Sequence, residues 1–156
     1  MHSFPQRLLL LIAVLCFAAV GLALVSQHVF QMPPCAWCVL QRLIYLAIGV
    51  VALAGACAGA IARACAAVCA LLGVGGIAAA WYQYDVAAQM FSCDQTFADR
   101  FMSGSGLDGA VPWLFGIYAT CMDASVEVLG VEYVIWSLAL FGVLVILALR
   151  AALARR

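Results

Sequence analysis

The sequence predicts an all-α integral membrane protein: a four-helix bundle, N-in/C-in, with a long outer loop between helices three and four. Three observations carry this. The 156 residues are 69% hydrophobic and 9% charged, whereas an ordinary soluble domain is about 25% charged. The apolar residues form runs near the ~20 residues that cross a hydrocarbon core of about 30 Å. The few charges are segregated by sign. This composition excludes a water-soluble globule, a disordered chain and a nucleic-acid binder, which needs a basic face.

The spans fall at about residues 8–29, 39–61, 64–84 and 133–149, in a single domain covering 1–156. The first run, from Leu8 to Val25 and extendable to Val29, has no charge. A cleaved signal peptide is the competing reading, since Arg7 precedes it. The run is long for that, Val25-Ser26-Gln27 is a poor cleavage site, and Leu15 before Cys16 is wrong for a lipoprotein. A retained span is expected. The second run contains Gln41 and Arg42 near its start, and a tight link at Ala62–Arg63 leads to the third. Trp81, Tyr82 and Tyr84 end the third span, and Tyr133 and Trp136 open the fourth, as interfacial aromatics do.

Two loops remain, about 26–37 and 85–132. All seven carboxylates (Asp85, Asp94, Asp99, Asp108, Asp123, Glu127 and Glu132) lie in the longer one, with Arg100 its only base. Arg7, Arg63, Arg150, Arg155 and Arg156 flank the opposite ends of the spans. The positive-inside rule makes those ends cytoplasmic and turns both loops outward.

This topology sorts the eight cysteines. Cys35, Cys38, Cys93 and Cys121 lie outside, in an oxidising space if the membrane is a bacterial inner membrane. Cys16, Cys57, Cys65 and Cys69 lie within spans or near inner ends and read as small apolar fillers. Cys65 and Cys69 are one turn apart, but no histidine lies near them to complete a metal site. No metal is expected.

Cys35-Ala36-Trp37-Cys38 is a C-x-x-C motif, compatible with a zinc half-site, a thioredoxin-like pair or a structural staple. Its context favours redox chemistry. Pro33-Pro34 stops any upstream helix, so a helix starting at about Pro34 puts both cysteines in its first turn. Free N–H groups and the helix dipole stabilise a thiolate there. Arg42 follows Cys38 by one turn on the same face. Snorkelling to headgroups is the plain reading of this arginine. The sharper one is a cation that stabilises a Cys38 thiolate and negative charge developing on an adjacent acceptor.

Pro34-Cys35-Ala36-Trp37-Cys38-Val39-Leu40-Gln41-Arg42 resembles the P-C-x-x-C-x-x-[EQ]-R signature of the DsbB family, bacterial inner-membrane disulfide-bond formation proteins. The resemblance covers nearly the whole chain: four spans, the loop order, Cys93, Cys121 and the acidic Asp123. The vitamin K epoxide reductase-like group keeps its C-x-x-C late in the chain, and here the motif is early. The resemblance implies a quinone-dependent thiol oxidase. A periplasmic DsbA-like thioredoxin-fold partner attacks a Cys93–Cys121 disulfide through Cys93. Cys121 then exchanges with Cys35, and Cys38 passes electrons to membrane quinone, ubiquinone or menaquinone. Arg42 matches the family arginine that supports quinone binding. Some family members carry a base near the end of span three; here Ala78-Ala79-Ala80-Trp81-Tyr82-Gln83-Tyr84 has none. A non-catalytic membrane protein with disulfide-stapled loops is the alternative.

Lesser features of the loops fit this relay. Met90-Phe91-Ser92 offers apolar side chains to a partner groove. Phe97 and Phe101 mark one side of a short helix, and Val111-Pro112-Trp113-Leu114-Phe115 suits a segment lying on the membrane. Gly104, Gly106 and Gly109 give the loop flexibility, and His28 reads as an interfacial residue.

Overall fold

A computed structural model of the protein describes residues 3–89 and 96–154. Four long helices dominate it: α1 (Phe4–His28), α2 (Ala36–Cys57), α3 (Ala62–Asp85) and, after a long intervening segment, the helix Tyr133–Leu153. All four are long and apolar enough to cross a membrane. At 1.5 Å per residue, even the 21 residues of the last one reach about 32 Å. Three short helices, α4 (Phe97–Ser105), α5 (Leu107–Ala110) and α6 (Pro112–Phe115), lie between them, so the last long helix is α7.

The long helices form a ring in which α1 packs on α2, α2 on α3, α3 on α7 and α7 back on α1. Small residues let the backbones approach closely. A Cβ on Gly73 would come within 2.7 Å of Val145, and one on Gly76 would strike the Phe141 ring. Across the ring, Tyr45 of α2 stacks on Phe141 of α7 at 4.1 Å between centroids. Leu9, Ile12, Ile48 and Leu144 complete a core without exposed surface at these residues, apart from about 1% at Leu144. Leu10, Leu22, Leu71, Val74 and Ile146 face outward, an apolar coat of the kind a bilayer covers.

The start of α1 and the end of α7 lie beside the α2–α3 link at one end of the bundle. There Gln6 donates to the Ala56 carbonyl at 3.0 Å, and Arg63 donates to the Ala154 carbonyl at 2.6 Å. These bonds satisfy carbonyls that helix ends leave free. The α2–α3 link is a 3₁₀ turn at Gly59–Ile61. Helix α2 thus stops at Cys57, earlier than the hydropathy run suggests, and Ala62 and Arg63 belong to α3. Apolarity measures lipid compatibility and does not register the break at Ala58, whose φ of −110° and ψ of 85° leave the helical region.

At the other end, a two-residue antiparallel hairpin pairs Glu127–Val128 with Val131–Glu132. Its turn puts Leu129 at φ 57° and Gly130 at φ 77°, the left-handed pair of a type I′ turn. Trp136 donates from its indole to the Val128 carbonyl at 3.2 Å and ties the hairpin to α7. Phe97 and Phe101 do share a helix, stacked at 5.9 Å, but they are its exposed side; Ala98 and Met102 are the buried one. The segment 112–115 is the helix α6, with Trp113 exposed and Phe115 buried. Met90, Phe91, Ser92 and Cys93 lie outside the described residues.

Candidate functional site

Cys35 is the N-cap of α2, whose first residue, Ala36, comes two after Pro34, and Cys38 is its third helical residue. Pro34 therefore precedes the cap. The Cys35 sulfur accepts from the Cys38 backbone N–H at 3.4 Å, as an N-cap side chain does. The two sulfurs stand 3.0 Å apart. This is where a helix leaves its first N–H groups without backbone partners, which favours negative charge on sulfur.

The segment between α6 and α7 delivers Cys121 to the same place. Backbone N–H groups of Tyr118 and Ala119 donate to the Pro34 carbonyl at 3.0 and 3.3 Å. A turn held by Thr120 donating to Asp123 at 2.7 Å follows, with Cys121 inside it. The neighbouring Cys121 and Cys38 thiols, together with burial, push the Cys35 thiol well above its ordinary value. Cys35 thus has one sulfur neighbour on its own helix and another from the loop. Cys93 lies outside the described residues.

Arg42 is 6% exposed, too little for a snorkelling side chain. Its guanidinium donates to Gln27 Oε1 at 2.6 Å, to the Leu114 carbonyl at 3.0 Å and to the Ala23 carbonyl at 3.4 Å. All three acceptors are neutral, and among the described residues no carboxylate pairs with it. A buried cation with no counter-ion is costly, and negative charge nearby is stabilised strongly. Cys38 and Arg42 line one small open pocket with Ala23, Met32, Pro34 and Tyr133.

Three glutamines complete the site. Gln27 orients Arg42, and Gln83 of α3 donates to the Cys38 sulfur at 3.2 Å. Gln41 donates to Gln83 Oε1 at 2.7 Å. All three are buried. A buried amide without a partner is costly, so glutamines at the ends of apolar runs were the available signal for Gln27 and Gln83. His28 is exposed, its Nε2 3.1 Å from the Trp113 carbonyl.

Residues 5–151 match the family described as Disulfide bond formation protein DsbB. The chain belongs to the DsbB family. Among DsbB relatives, the Disulfide bond formation protein B of Ralstonia nicotianae is 33% identical, over 100% of this chain and 98% of its own length. That of Cupriavidus metallidurans is 31% identical over 100% and 97%, and that of Polaromonas naphthalenivorans 32% over 97% and 95%. DsbB membership and four span-length helices make this a multi-pass membrane protein and a disulfide-forming oxidoreductase.

Proposed function

We propose that the chain reoxidises a periplasmic DsbA-like thioredoxin-fold dithiol protein and passes the electrons to membrane quinone, as a quinone-dependent thiol oxidase of the bacterial inner membrane. Cys121 packed against the buried cluster that holds Cys35, itself 3.0 Å from Cys38, is the observation that carries this reading. In the proposed relay the partner's thiolate attacks a Cys93–Cys121 disulfide at Cys93 and releases Cys121. The Cys121 thiolate then attacks Cys35 of an oxidised Cys35–Cys38 pair; the Cys35–Cys121 bond forms, the Cys35–Cys38 bond breaks, and Cys38 leaves as the thiolate. Grouping of the arginines at the end where α1 starts and α7 ends supports N-in/C-in topology, with the cysteine end in the periplasm.

The pocket fits a quinone head group in its chemistry. Arg42 supplies an unneutralised cation, Cys38 a sulfur at a helix N-terminus, and Ala23, Met32 and Pro34 apolar surface. When bound there, quinone supplies a lipid-soluble acceptor for two electrons and two protons. Arg42, itself buried and held by Gln27 and Leu114, would face negative charge across the pocket.

Purified protein mixed with a reduced thioredoxin-fold dithiol protein should reduce added quinone. Cys35→Ala, Cys38→Ala, Cys93→Ala and Cys121→Ala should each abolish the reaction. Turnover by the Cys38→Ala variant would sink the relay.

A further inference from the structure

A single file of side chains runs from the Cys38 sulfur into the bundle. Gln83 Nε2 donates to that sulfur at 3.2 Å, and Gln41 Nε2 donates to Gln83 Oε1 at 2.7 Å. Ser137 of α7 donates from its hydroxyl to Gln41 Oε1 at 2.6 Å. The Tyr45 hydroxyl lies 2.9 Å from Ser137 Oγ and donates to the Ser137 carbonyl at 3.1 Å. The file draws on α2, α3 and α7, so bundle packing sets it.

Its direction runs from the far end towards the sulfur. Ser137 donates its one hydroxyl proton to Gln41 Oε1. Gln41 then presents its NH₂ to Gln83, whose carbonyl meets it. The Gln83 NH₂ is left facing the sulfur. Turning Gln83 over alone would set two NH₂ groups against each other. Donors pointing the same way polarise one another, and this file delivers that polarisation to one atom.

We propose that Gln83 is a catalytic residue whose N–H stabilises Cys38 as the leaving thiolate, with Gln41, Ser137 and Tyr45 as positioning residues that hold its amide in the donating orientation. This rests on the proposed relay for the step concerned. As Cys121 attacks Cys35 and the Cys35–Cys38 bond breaks, the bonding electron pair stays on Cys38 Sγ, where Gln83 already points a donor. A better stabilised thiolate leaves faster. The other ionisable groups around Cys38 are Cys35 at 3.0 Å, Arg42 and Tyr133 in the shared pocket, and Cys121 beyond Cys35. Arg42 acts through charge from the pocket side; Gln83 acts through a directed hydrogen bond from α3.

The test is the pH dependence of alkylation of Cys38 in the fully reduced full-length protein in detergent, read cysteine by cysteine by mass spectrometry. The midpoint reports ionisation, and the plateau rate reports access. Gln83→Leu should raise the Cys38 midpoint by about one pH unit, about tenfold less thiolate at a fixed lower pH. Ser137→Ala, remote from the sulfur, should shift it in the same direction by about two- to threefold in thiolate fraction, and Ser137→Thr should restore it. An unchanged midpoint in a folded Gln83→Leu variant overturns the proposal. If that variant does not fold, the serine pair decides: identical midpoints for alanine and threonine overturn it. Neither partner nor quinone is present, so this result stands apart from success or failure of the oxidase assay.

Discussion

Two cysteine pairs on long helices are spaced almost alike and placed differently. Cys35 caps α2 and Cys38 is its third residue; Cys65 and Cys69 are the fourth and eighth residues of α3, past its unpaired N–H groups. At the start of α2, sulfur meets unpaired backbone N–H groups, a glutamine donor and a neighbouring cation. In α3 the backbone N–H groups serve the helix, Cys69 faces the Ile48 carbonyl at 3.7 Å, and Cys65 packs where Gly55 leaves room. Among the described residues no group of three His, Cys, Asp or Glu side chains is arranged to hold a metal ion. Spacing brings two thiols together; position at a helix end, with polar neighbours from other helices, makes them chemically useful.

Substitutions that separate the two pairs give the largest contrast. Cys38→Ala should abolish quinone reduction, whereas Cys69→Ala should retain most of it in the same coupled assay. Equal loss in both would mean that the inner pair belongs to the chemistry.

Arg42→Met should lower quinone-dependent turnover by about 10- to 100-fold, the scale of a lost charge-assisted interaction of about 1.5–3 kcal/mol. Thiol exchange with the partner, followed by trapping mixed disulfides, should change much less. Equal effects on both steps would assign Arg42 to holding Gln27 and Leu114 in place. In the body of the bundle, Gly76→Ala forces a methyl against Phe141 and should destabilise the protein by about 1–3 kcal/mol in detergent unfolding. Activity per folded molecule should stay near normal, since Gly76 is not part of the cysteine site. The smallest effect belongs to Cys69→Ala, about 1 kcal/mol of stability for one buried sulfur.

The two regions also differed in how much could be read from residues alone. Hydropathy is a local property, so the long helices were legible. So was the short-range geometry of Cys35, Cys38 and Arg42, which one helix turn settles. The contacts that complete the site join residues far apart in the chain: Gln83 with Cys38, Gln27 with Arg42, Cys121 with Cys35. Nothing in the local pattern names such partners. The outward stacking of Phe97 and Phe101 escaped for a related reason, because Ala98 and Met102 occupy the side that packs. The helix start moved by a residue or two because Cys35 itself can cap it.

In the proposed relay, the approach of Cys121 to Cys35 is what joins the Cys93–Cys121 and Cys35–Cys38 pairs into one pathway. A Cys38→Ala, Cys93→Ala double variant leaves only those two thiols of the four. After mild oxidation, alkylation and non-reducing mass mapping, the account predicts peptides joined through Cys35 and Cys121. Recovery of both cysteines fully alkylated, in protein that keeps its helical content, would contradict it.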